Sequence, residues 1–164
     1  MQNGKVSNQC ANKSKSKVTF SPATTHILNV TTHIENLLMH IKQLESVFKL
    51  ESKERYGYLI RKVADFEQVF LIADKQGNYV TCGNNNEKII PIWPELEFAQ
   101  ELIKTEWKNC VVTMVELNNF MNWMDKLETE NYLIGGFPNQ KLNSIVVKPT
   151  EIKNHLIFEC EQYE

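Results

Sequence analysis

Site chemistry needs nucleophiles, acids, bases or metal ligands brought together, and this chain spaces them apart. The four cysteines, Cys10, Cys82, Cys110 and Cys160, form no CxxC pair and no Cys/His pair at ligand spacing. Zinc binding is therefore not expected, nor is any other metal or cofactor. His26, His33 and His40 recur seven residues apart, which is about 10 Å along a helix and too far for one ion to bridge. His155 is the only histidine in the C-terminal two-thirds of the chain, beside Lys153 and Asn154. A general base needs an orienting carboxylate, and none can be placed there, so His155 is expected on a helix surface. Cys110 could meet His155 in space as a thiol nucleophile. The apolar VVTMV that follows Cys110 favours instead a buried, inert thiol. Glu97 and Glu101 share a helix face at i, i+4, with Lys104 three further on, as in a solvated face. Gly135-Gly136 lacks the helix start that a phosphate loop requires, so a bulge or a close backbone approach is expected. No catalytic residue is assigned.

The aromatic residues offer a different chemistry. Trp93, Trp107 and Trp123 stand near element ends, and Trp123 lies between Met121 and Met124. Capping the core is the first expectation for all three. The alternative is a protein-binding surface formed by Trp93, Glu95 and Trp123, because Trp and Met are enriched at interfaces.

These residues must be positioned by elements whose periodicity is legible. Residues 1–20 are polar and are expected to be a disordered basic leader. Residues 21–49 are expected to form an amphipathic helix, with Ile27, Val30, Ile34, Leu37, Ile41, Leu44 and Phe48 as an a/d seam. The seam offers a homodimer contact or docks on the domain. Met39 is a candidate alternative start. Residues 50–164 are expected to be a single α+β domain.

Within that domain, Leu50-Glu51-Ser52 breaks the chain and starts a helix carrying Tyr56, Leu59, Ile60 and Val63 inward. Gly57 within it suggests close packing. Strands are expected at Val69–Ala73, Tyr79–Cys82 and Ile89–Trp93, joined by the Asp74–Asn78 and Gly83–Asn86 turns as an antiparallel meander. A helix follows over Pro94–Trp107, with Pro94 at its first position and Leu96, Ala99, Leu102 and Ile103 inward. Strand Cys110–Val115 and helix Glu116–Leu127 come next. Two strands, Tyr132–Phe137 and Ser144–Lys148, flank a turn at Pro138. A last helix opens at Pro149, with Ile152, Leu156 and Ile157 inward. The fold class is α+β: an antiparallel or mixed sheet with helices packed on it, preceded by the amphipathic N-terminal helix.

Charge and length bound the function. Residues 1–34 hold four lysines and no acid, so the net −2 of the chain leaves −6 on the remainder. Four lysines without arginine or interleaved aromatics argue against nucleic acid as a partner. No apolar run reaches the ~20 residues that span a membrane, and the polar N-terminus has no apolar signal segment. A cytoplasmic protein with reduced thiols is expected.

The segments RYGYLIRKVADFEQVFLI (Arg55–Ile72), PIWPELEFA (Pro91–Ala99), EWKNC (Glu106–Cys110), NNFMNWMDKL (Asn118–Leu127) and LIGGFP (Leu133–Pro138) follow one another in family order. From about residue 39 to 160 the chain resembles the bacterial domain-of-unknown-function family 2750. Members tend to carry a His after the Trp-Pro, where this chain has Glu95, and an apolar residue where it has Gly136. The resemblance implies a small cytoplasmic bacterial α+β domain and supplies no activity, cofactor or catalytic residue. The order of elements is also loosely similar to the N-terminal domain of SseB-type proteins, at fold level alone. The expected function is a non-enzymatic protein-interaction module, in one form a partner-neutralising, immunity-like protein. The alternative is a small ligand-binding domain or enzyme with a pocket near Trp93-Pro94.

Overall fold

The computed structural model describes residues 34, 35, 38–83 and 87–162. The chain divides into two compact units, Met1–Met39 and His40–Glu164. In the first, residues 34, 35, 38 and 39 are helical and exposed. The expected leader, His26, His33 and the seam residues Ile27, Val30 and Leu37 lie outside the described residues.

The second unit opens with helical residues 40–48 (α1). Val47 is buried there, with Leu44 and Phe48 packed against the core and Ile41 exposed. The buried side of α1 thus includes a position outside the expected seam.

Helix α2, Ser52–Phe66, starts at Glu51 in a reciprocal capping box with Glu54 and ends at Glu67 in the left-handed region (φ 53°). Leu59, Ile60, Val63 and Ala64 recur at helical spacing and are buried. Gly57 does not mark close packing: a Cβ there would meet only the Arg61 guanidinium, at 3.4 Å.

The strands are β1 (Gln68–Ala73), β2 (Lys88–Ile92), β3 (Val111–Glu116), β4 (Tyr132–Gly136) and β5 (Ile145–Val147). The remaining helices are α3 (Leu96–Thr105), α4 (Leu117–Thr129) and α5 (Pro149–Cys160). Strands β1 and β3 pair antiparallel as one sheet. In the other sheet, β4 lies between β2, which is parallel to it, and β5, which is antiparallel. The expected α+β class holds.

The local meander does not. The Asp74–Asn78 turn forms, with Gly77 at φ 86° and Asp74 capping the N–H groups of Gln76 and Asn78 at 2.9 Å. Beyond it, Tyr79 and Cys82 make isolated bridges to Ala73 and Ile89 rather than a returning strand. One edge of β1 is taken by β3 and the other, at Phe70, by Trp93. This leaves no full ladder for Tyr79–Cys82.

Two helix expectations also shift. Pro94 precedes the N-cap Glu95 rather than occupying the first helical position of α3. Phe98, with Ala99 and Leu102, is buried in α3, while Leu96 is partly exposed. In α5, Ile152 and Leu156 are buried, whereas Ile157 is exposed. Helix α4 buries Leu117, Phe120, Met124 and Leu127 at helical spacing.

Candidate functional site

The Trp93-Pro94 corner is built by the end of β2 and the start of α3. Trp93 is fully buried, so as a residue of an exposed binding surface it is corrected. Its ring meets Trp107 edge-on at 6.2 Å, and its Nε1–H donates to the Pro138 carbonyl at 3.1 Å. Burying the ring contributes most of its stabilisation, and the bond satisfies its one polar atom.

Arg55 belongs to the same closed architecture, and reading the sequence missed it as a site residue. It is the buried charged residue of the core, at 2% exposure. Its Nε–H donates to the Phe137 carbonyl at 3.1 Å, and Nη2 donates to the Asn143 carbonyl at 2.6 Å and to Ser52 Oγ at 3.1 Å. Nη1 donates to the Leu50 carbonyl. Burial lowers its pKa and the nearby Glu51 carboxylate partly offsets this. Arg55 faces a cleft of about 510 Å³ with Lys49, Glu51 and Lys141 on its walls. Each guanidinium nitrogen is already committed to the chain, so the fork acts as a clasp between α2 and the 137–143 segment. The signal for it was present: Arg55, Leu59 and Val63 fall at i, i+4, i+8 on the buried stripe.

The clasped segment is strained where it is held. Phe137 is a non-glycine residue at φ 50°, a conformation that costs roughly 1–2 kcal/mol. Its N–H donates to the Ile92 carbonyl at 3.0 Å, and its ring packs on Phe98 at 4.6 Å. Gly136 makes the expected close approach: a Cβ there would lie 2.5 Å from Tyr56 Cδ2. Tyr56 in turn places its hydroxyl 2.8 Å from His155 Nδ1. Burial, then the Glu151 charge, pushes the Tyr56 phenol up, so it stays protonated at neutral pH. The structure records no bond between His155 and Cys110; Cys110 is half-buried, and its N–H donates to Trp107.

An open surface begins one residue from Trp93. Glu95 Oε1 accepts from the Tyr58 hydroxyl at 2.6 Å and lies 3.9 Å from Lys62 Nζ. Burial and then the Glu95 contact push the Tyr58 phenol up, which keeps its proton on that bond. Lys62 Nζ stands 4.8 Å from the centre of the Phe66 ring, within cation–π range. Phe66 is itself 52% exposed. It lines a cleft of about 280 Å³ with Pro94, Glu95 and Leu96. It also lines a second cleft of about 550 Å³ with Gln68, Met114 and Cys160. Met114 is 49% exposed. Phe66, Leu96 and Met114 are therefore exposed apolar anchors on two adjoining clefts, with Glu67, Glu95, Glu97 and Glu116 on the walls.

Trp123 is placed elsewhere. It is half-buried, packs on Tyr79 with ring centres 5.0 Å apart, and lines a cleft of about 310 Å³ with Lys126 and Tyr132. Among the described residues, no three of His, Cys, Asp and Glu gather as metal ligands, and no helix is long and apolar enough to cross a membrane.

A family model described as protein of unknown function (DUF2750) matches residues 56–156. No curated protein and no solved structure matches the chain.

Proposed function

The chain belongs to the protein family of unknown function DUF2750, and from that premise we propose that it is a non-enzymatic protein-interaction module. Its docking surface is the pair of clefts that share Phe66. The observation that carries this reading is Phe66 itself, a half-exposed ring steadied by Lys62 and edged by carboxylates. Interfaces are dominated by a few aromatic and apolar anchors inside a polar rim. The rim here is acidic, so the fitting partner presents an apolar side chain flanked by lysines or arginines. Neutralising a basic partner surface, as an immunity-like protein does, is one form of this role. We place it in the bacterial cytoplasm, which the thiols of Cys82 and Cys110, outside any disulfide, support.

The test is co-expression with the products of neighbouring genes, scoring both capture and rescue of growth. A basic partner is expected, bound with a salt-sensitive on-rate. Phe66→Ala should weaken binding by about 2 kcal/mol, roughly 30-fold, while Trp123→Ala leaves it unchanged. Folded Phe66→Ala protein that binds as well as the original would end this assignment. Loss with Trp123→Ala alone would move docking to the Tyr79–Trp123 cleft.

A ligand-binding or enzymatic pocket at the Trp93-Pro94 corner is the second reading, favoured by the Tyr58–Glu95 bond on the cleft wall. At about 280 Å³ that cleft falls just below the ~300–1,000 Å³ of typical small-molecule sites, and Trp93 does not line it.

A further inference from the structure

The backbone of β3, whose Met114 and Glu116 also line one of the two docking clefts, supports a second inference. In an antiparallel ladder, each residue turns its N–H and C=O to the same side, and successive residues alternate sides. Phe70 exchanges both of its backbone bonds with Trp93, at 2.9 Å each, and the Ile72 carbonyl accepts from Val80 at 2.9 Å. Phe70 and Ile72 therefore point away from β3. Their register partners, Met114 and Val112, point away from β1, and Glu116 does the same by alternation. Among the described residues, no backbone bond reaches the outer edge of β3 at Val112 or Met114. The N–H groups of Val112, Met114 and Glu116 stand there with the C=O groups of Val112 and Met114, while the Glu116 carbonyl accepts the first bond of α4 as its N-cap.

Natural proteins blunt such edges with lysine, proline, a bulge or a covering element. The strand Val-Val-Thr-Met-Val-Glu has no proline, no glycine and one charge, at its end. Val111 and Met114 are about half exposed, at 52% and 49%.

We propose that β3 pairs antiparallel with β3 of a second copy of this chain, about a two-fold axis at Met114. The outward residues Val112 and Glu116 lie two positions to either side of that residue. Met114 faces Met114 of the second copy in a doubly bonded pair, and Val112 faces its Glu116, whose N–H donates to the Val112 carbonyl. The two Glu116 carboxylates fall at opposite ends of the new ladder, and like charges do not face each other. Thr113 comes opposite Val115, a β-branched pair of the kind that packs well across strands. One contact of this symmetry removes the open edge from both copies. A six-residue strand pair covers less than the roughly 1,200 Å² of a stable interface. The dimer is therefore weak, with a dissociation constant on the order of 100 μM.

The test is sedimentation of the full chain from about 10 μM to 1 mM, with amide exchange at the same concentrations. The expected result is a concentration-dependent dimer in which the amides of Val112, Met114 and Glu116 exchange more slowly as dimer forms. Met114→Pro removes one outward N–H that the fold does not use, and Met114→Lys places a gatekeeper charge on the edge. Each should weaken the dimer at least tenfold without loss of secondary structure, and the lysine variant covers a failure of the proline one to fold. A monomer at every concentration overturns the proposal. So does a dimer that survives both variants, which assigns the contact to another surface such as the 27–48 segment. Loss of dimer in these variants and loss of partner binding in Phe66→Ala are separate readouts, so either reading can fail alone.

Discussion

The Arg55–Trp93 corner and the Phe66–Met114 surface use their groups in opposite ways. At the corner, polar atoms are buried and committed to the chain: Arg55 to the carbonyls of Leu50, Phe137 and Asn143, Trp93 to that of Pro138. At the surface, apolar side chains are exposed and the outward backbone groups of Val112 and Met114 in β3 carry no backbone bond among the described residues. A buried charge is commonly taken as a sign of chemistry. Here it closes architecture, because every nitrogen of the guanidinium is already bonded. The unspent capacity lies where Phe66 and Met114 meet solvent, and contact is the function that such capacity serves.

Substitutions at the two regions should therefore separate stability from binding. Arg55→Met should have the largest effect. It strands the buried Phe137 carbonyl, worth roughly 1–3 kcal/mol without a partner, and the part-buried carbonyls of Leu50 and Asn143, so a loss of about 3 kcal/mol or more is expected in urea unfolding. Arg55→Lys should recover little, since an ammonium cannot reach three directions as a fork does. A loss below about 1 kcal/mol would remove the clasp from the comparison. Gly136→Ala comes next: the added methyl meets the Tyr56 ring and should cost about 2–3 kcal/mol, visible as a lower Tm in calorimetry. Phe66→Ala should leave stability within about 0.5 kcal/mol while weakening partner binding roughly 30-fold, the reverse of the corner's pattern. The smallest effect is at the Asp74 turn. The Asn78 side-chain bond and then the Asn78 backbone bond, with lesser bonds from Gln76 and Gly77, hold the Asp74 carboxyl below its ordinary value of 3.8 against the opposing effect of desolvation. A depressed folded-state pKa means its contribution is present above the unfolded value and lost as pH falls through the folded one. An NMR titration should show the 74–78 amides shifting only in that acid range, and Asp74→Asn should abolish the shift.

Local features were legible in the sequence. The Pro149 start of α5, the α4 stripe and the β4–β5 hairpin depend on neighbours within a few turns of chain. The partner of β1 was not legible, because it is supplied by Val111–Glu116, and β2 lies parallel to Tyr132–Gly136. Periodicity reports the face a strand buries and is silent about the strand beside it. The Asp74–Asn78 turn therefore suggested a hairpin that long-range pairing displaced. Glu95 was legible as a corner residue, and its bond to Tyr58 gives it a place on the cleft. Trp93 was misplaced because a Trp at an element end suits a core cap and a surface anchor alike. Phe66 was missed because it ends α2 beyond the last buried turn, where the apolar stripe no longer constrains it.

The parallel pairing of β2 with β4 has a consequence for how the chain acquires its shape. During synthesis β2 emerges well before β4, and β1 well before β3, so both ladders wait on distant segments. Closing such loops costs entropy before any contact compensates for it. The hairpin of β4 and β5, with α4 and α5 packed beside it, is contiguous in sequence and is expected to nucleate folding, with β1 and β2 joining last. Substitutions at Ile134 or Val147 should then slow refolding, whereas those at Leu71 should mainly speed unfolding. A chevron series on these three positions measures the order directly.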